Sequence, residues 1–177
     1  MRTIALALAA AALIPAACSA PETVTEEVAQ DELLAEVNDD ASGPVYLSSG
    51  RNIGLSGYDA VSYQVGDGTP QQGNEEFAVS YNGVQYHFAN AENAETFQAD
   101  PVRYAPAYGG FCAWAAARGD LAAGNPENYR VVDGRLYLNF NGLIQSRWEQ
   151  DIEGFIESAD ENYPQFAADA TEGDSLS

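Results

Sequence analysis

The spacing of apolar and polar positions divides the chain into segments of two different periods. Phe77, Val79 and Tyr81 alternate with small or polar residues, as do Val84, Tyr86 and Phe88, and Asn82-Gly83 lies between the two runs. A period of two is that of a strand with one face on a core. Asn-Gly accepts the positive φ that a two-residue turn demands, so the pattern predicts a β-hairpin. Residues 129–132 and 135–140 flank Asp133-Gly134 in the same way and predict a second hairpin, with Leu136, Leu138 and Phe140 on one face.

Elsewhere the period is helical. Ala94 and Phe97 place a helix over 90–99 with Asn90 as its cap, and Pro101 opens a short helical turn holding Tyr104. Behind Gly109-Gly110, the run FCAWAAAR predicts a helix stopped by Gly119, with Arg118 in its last turn. Ile144, Trp148, Ile152, Phe155 and Ala159 recur at helical intervals from Gly142 onward, giving one closing helix that ends before Pro164. Residues 57–63, GYDAVSY, read as a glycine turn and then a short strand. Without regular βαβ alternation the expected class is α+β, a small single domain with two β-hairpins and about four helices.

The two ends read differently. Met1-Arg2 is a short positive region, residues 4–14 are apolar but too few to span a bilayer, and small residues continue to Cys18. That order predicts an export signal over residues 1–17. Ile14-Pro15-Ala16-Ala17-Cys18 resembles a bacterial lipobox, with Pro15 where an aliphatic residue is usual, and the resemblance implies acylation of Cys18. A secretory cut beyond Cys18 is the alternative and would remove it. Residues 18–43 are acidic, lack aromatics and suit a tether, with Val28, Leu33, Leu34 and Val37 allowing a short amphipathic helix. Residues 167–177 are expected to be a disordered acidic tail, leaving 44–166 as the domain. The chain is expected to be exported and periplasmic, a lipoprotein that meets the membrane only through its N-terminal anchor.

Charge narrows the partners. Twenty-seven acidic residues against 7 basic ones give a formal charge of −20, and none of the basic residues is lysine. Nucleic acid and anionic membrane surfaces would repel such a chain, which excludes both as electrostatic partners. The remaining partners are a metal ion, a small ligand or a periplasmic protein.

Candidate chemistry centres on one thiol. With Cys18 acylated or removed, Cys112 stands alone, so no disulfide forms within the domain. Two glycines before it permit close approach of a backbone or ligand, and a first-turn position favours a thiolate; packing as a small hydrophobe is the alternative. His87 is the only histidine and could pair with Cys112, or sit on a rim without function. Asp59 is the acid that could join them, or else it holds a turn. A Cu or Zn ion would need three or four donors, and with no methionine in the domain only carboxylates remain to complete the set. Tyr58, Tyr63, Tyr104, Tyr108 and Trp114 either line a pocket for a flat ligand or fill the core. The alternatives are thus a binding module near the thiol, a thiol-dependent redox enzyme using Cys112, and a non-catalytic structural or adaptor lipoprotein.

Residues 79–88, VSYNGVQYHF, followed by FQADPVRY at 97–104, resemble the YHS domain. LSGYDAVSY upstream, with YAPAYGGFCAWAAARG and VVDGRLYLNF downstream, extends the resemblance over residues 54–166 to exported bacterial YHS-domain proteins of the cysteine/selenocysteine branch. That resemblance implies a YHS-like core and a chemically used Cys112. In the family's metal-handling branch two cysteines follow the hairpin; here those positions are Ala89 and Asn93, so the thiolate pair is not implied.

Overall fold

The computed structural model describes residues 36–37, 44–47 and 52–170. The class is α+β, with two small antiparallel hairpins and about five helices. The elements are β1 (Glu36–Val37), β2 (Asn74–Tyr81), β3 (Val84–Phe88), α1 (Ala91–Ala99), α2 (Pro101–Tyr104), α3 (Ala113–Ala116), β4 (Asn125–Val132), β5 (Arg135–Asn139), α4 (Gly142–Trp148) and α5 (Ile152–Ala170). β2 pairs antiparallel with β3 across Asn82-Gly83, and β4 with β5 across Asp133-Gly134. All four turn residues have positive φ, as the two turns require. β1 adds to β2 in parallel, with Glu36 opposite Ser80. The remainder of the proposed amphipathic helix, the export signal and Cys18 lie outside the described residues.

The domain is built from one motif used twice. Asn74–Tyr81 and Asn125–Val132 have the same length, and their pairing slips at the same place, between Asn74 and Ala78 and between Asn125 and Tyr129. At each slip the leading asparagine accepts through its side chain, from the Glu76 N–H in one half and the Glu127 N–H in the other. Each hairpin is followed by an asparagine cap, Asn90 or Asn141, accepting from the N–H three residues on. Each is preceded by a 3-10 turn that runs through left-handed backbone, Leu55-Ser56-Gly57 in the first half and Tyr108-Gly109-Gly110 in the second. The helix of each motif buries one aromatic ring, Phe97 or Trp148, both fully.

The halves share a core. Leu136 and Leu138 of β5 pack into the cluster of Val61, Tyr86, Phe88 and Phe97 from the first motif. A second cluster joins Tyr108, Ala113, Tyr137 and Trp148 to Ala159 of α5. Burying a side chain of this size stabilises the fold by about 1.5–3 kcal/mol, so these rings set the packing of both motifs.

Four expectations change. Residues 57–63 form turns instead of a strand, because the Asp59 side chain captures the Val61 and Ser62 N–H groups that a sheet would use. The FCAWAAAR helix shrinks to Ala113–Ala116, and Arg118 lies beyond it, 4.7 Å over the Trp114 ring. The closing helix is two helices, α4 and α5, and Pro164 lies inside the second. Phe140 does not join Leu136 and Leu138 in the core; β5 ends one residue earlier and Phe140 is 52% exposed.

Candidate functional site

Asp59 is a fully buried carboxylate with every contact taken by the chain itself. Its Oδ1 accepts from the Val61 N–H (2.8 Å) and the Ser62 N–H (3.1 Å), and its Oδ2 from the Ala89 N–H (2.9 Å) and the Asn93 side-chain amide (2.7 Å). Ala89 follows the end of β3 and Asn93 lies in the first turn of α1. One carboxylate oxygen meets both, so Asp59 clasps the β3–α1 corner to the turn at residues 59–62.

Cys112 occupies the matching place in the second motif. The Asp59 N–H donates to the Gln71 carbonyl and the Cys112 N–H to the Ala122 carbonyl, both at 2.9 Å. The residue before each forms the same isolated antiparallel bridge, Tyr58 with Gln72 and Phe111 with Ala123. Cys112 is the N-cap of α3 and is 1% exposed, and its side chain makes no capping bond. The thiol donates instead to Asn139 Oδ1 at 3.7 Å, and the same oxygen accepts from the Trp114 N–H at 3.4 Å. Asn139 is fully buried, and its Nδ2 has no partner. Sequence reasoning did not single out Asn139; the signal was a polar residue inside the apolar strand LYLNF.

His87 is 9% exposed rather than on a rim. Gly73 lies so close to its backbone and Cβ that no larger residue fits there. Its Nε2 is buried without a partner. Burial lowers the imidazole pKa below its ordinary value, and the nearby Glu75 carboxylate opposes the shift in part. No hydrogen bond joins His87, Cys112 and Asp59 to one another among the described residues.

The aromatic candidates separate. Tyr63 is buried, donates to the Pro126 carbonyl at 3.0 Å and meets the Tyr129 ring edge-on at 4.8 Å. Tyr58 donates to Glu127 at 3.4 Å, while Tyr104 and Trp114 lie under the Arg103 and Arg118 guanidinium groups. Tyr108 lines a cavity of about 180 Å³, together with Val45, Tyr81, Tyr86, Tyr163 and Arg135. Tyr108 donates to Asp160 at 2.9 Å, and Tyr163 to the Pro44 carbonyl. Burial raises the pKa of Tyr86, Tyr108 and Tyr163 far above the usual phenol value, so all three keep their protons. Arg135 takes part in no ion pair among the described residues, whereas Arg130 pairs with Glu149 at 2.8 Å.

Among the described residues no donor set fits a resident Cu or Zn ion. Among the described residues no group of three or more His, Cys, Asp and Glu side chains is gathered. Both Asp59 oxygens are engaged, and the thiol faces an amide. Comparison with known protein families, curated proteins and solved structures finds no match to the chain. Among the described residues no helix is long and apolar enough to cross a membrane.

Proposed function

We propose that the chain is an exported YHS-like binding module that takes a small ligand, a single ring bearing an anionic group, in the cavity beside Arg135. The carrying observation is Arg135 itself. In a chain of net charge −20, Arg135 lines an aromatic cavity and forms no ion pair among the described residues, with Asp100 and Asp133 lining a neighbouring hollow beside it. Tyrosine rings supply flat apolar walls, and a guanidinium is the group that best holds a planar oxyanion. The volume supports the class: a cavity of about 150 Å³ accepts benzene, so about 180 Å³ suits one substituted ring. Tyr108 and Tyr163 already donate their O–H groups to Asp160 and the Pro44 carbonyl, so the phenols serve as neutral walls and Arg135 is the donor for the anionic group. The lipobox-like N-terminus supports tethering of this module at a membrane through Cys18.

The test is calorimetric titration of the full chain with benzoate, with benzyl alcohol as the neutral control. Benzoate should bind and the alcohol should bind more weakly. Arg135→Gln should weaken benzoate by about tenfold to a hundredfold, the value of one charge-assisted hydrogen bond, and leave the alcohol unchanged. Equal benzoate binding by the variant and the native chain would overturn the reading. Fatty-acid labelling that persists in Cys18→Ser would overturn the tether.

A further inference from the structure

The two motifs put a carboxylate and a thiol in equivalent places, and the surroundings of the thiol are incomplete in a way that the surroundings of the carboxylate are not. Four donors close on Asp59. At Cys112 the thiol meets only the oxygen of the Asn139 amide, whose Nδ2 is fully buried and unpartnered. A buried donor without an acceptor is costly, and an acceptor built at Cys112 would let a half-turn of the amide satisfy it. We infer that Cys112 is an oxidative modification site whose product, a cysteine sulfinate, takes the place that Asp59 holds in the first motif.

The chemistry needs hydrogen peroxide as oxidant. The thiol sulfur attacks one peroxide oxygen, the O–O bond breaks, and sulfenic acid and water result. A second peroxide converts the sulfenic acid to sulfinic acid with release of another water, and the acid loses its proton. Sulfur is oxidised and the peroxide oxygen is reduced at each step. A sulfinate has two oxygens on one atom, as a carboxylate has. Turning the Asn139 amide by half a revolution exchanges Oδ1 and Nδ2, so that the orphaned N–H₂ donates to one sulfinate oxygen. The Trp114 N–H, no longer bound to Oδ1, then donates to the sulfinate as the Val61 N–H donates to Asp59 in the first motif. Because Cys112 is 1% exposed, peroxide reaches it only through local opening, and the rate follows that opening. The inference stands on the thiol and the amide alone and is independent of the ligand in the cavity.

The test treats the full chain with hydrogen peroxide and reads the mass of the Cys112 peptide. The expected product carries two added oxygens and goes no further, forms faster in sub-denaturing urea, and accumulates at least about tenfold less in Asn139→Leu, which cannot donate. Cys112→Asp, which builds the first motif's group into the second, should melt no lower than Cys112→Ser. A thiol that survives in the folded chain while the urea-unfolded chain oxidises would overturn the inference. So would passage to three oxygens, or a Cys112→Asp chain that melts below Cys112→Ser. The mass readout on the native chain decides the matter even where a variant does not fold.

Discussion

Replacing Asp59 with alanine tests whether the first motif is held by a single carboxylate. The substitution removes the acceptor for the Val61, Ser62 and Ala89 N–H groups and the Asn93 amide, and leaves these donors in a fully buried setting. Hydrogen bonds to a charged acceptor contribute about 1.5–3 kcal/mol each, but four bonds to one group do not add, and the turn at residues 60–62 can relax toward water. A loss of about 4–6 kcal/mol follows. A domain of this size is stable by roughly 6–18 kcal/mol, so the loss is a large part of the total.

Urea unfolding followed by tryptophan fluorescence measures it, since Trp148 is fully buried and reports loss of the core. With a slope of about 2 kcal/mol per molar, the midpoint should fall by about 2–3 M. Asp59→Asn keeps the volume but opposes its own amide hydrogens to donors, and should lose about 3 kcal/mol. Asn93→Ala should lose about 1–2 kcal/mol, and the double variant with Asp59→Ala less than the sum, because the Asp59–Asn93 bond is removed in both. A midpoint shift below about 0.5 M for Asp59→Ala would refute the clasp and, with it, the equivalence drawn between Asp59 and Cys112.

Three further outcomes follow from the same packing. A His87 imidazole with a lowered pKa means that the unfolded chain takes up its proton at a higher pH than the folded one. Its stabilising contribution is complete above the ordinary histidine value of about 6.5 and is lost as pH falls through the lowered folded value. Thermal melts of His87→Gln should therefore depend less on pH below about 6.5 than those of the native chain, and parallel curves would contradict the buried imidazole. Gly124→Ala should destabilise by about 2–3 kcal/mol, because the added methyl meets the Gly110 carbonyl and comes within 2.9 Å of Leu138 Cβ. Gly142→Ala, whose methyl finds only Asn128 Oδ1 at 3.5 Å in a first helical turn, should be neutral or slightly stabilising by the same melts.

Local chemistry carried much of the fold in the sequence. Asn82-Gly83 and Asp133-Gly134 named both hairpins, and Asn90 named a cap, because positive φ and side-chain capping are decided within a few residues. The same locality misled at residues 57–63, where an alternating pattern suggested a strand and a carboxylate captured the backbone instead. Pro164 was read as a stop, yet α5 runs through it; Tyr163 beside it packs on Tyr108 at 5.4 Å.

The site was less legible than the fold. Cys112, His87 and Asp59 stood out by rarity or by motif, and rarity does not say what a side chain touches. Asn139 and Arg135 drew no notice, since one is an ordinary polar residue in a strand and the other an ordinary arginine at a strand start. The duplication lay hidden because the halves share turn and cap positions while most of the side chains between them differ. Composition, charge, turn residues and caps are sums or short-range properties, and the sequence by itself determined those. Which polar groups meet across the two motifs depends on packing between residues far apart in the chain, and only the tertiary structure decided that Asp59 is satisfied, that Cys112 faces Asn139, and that Arg135 stands at a cavity.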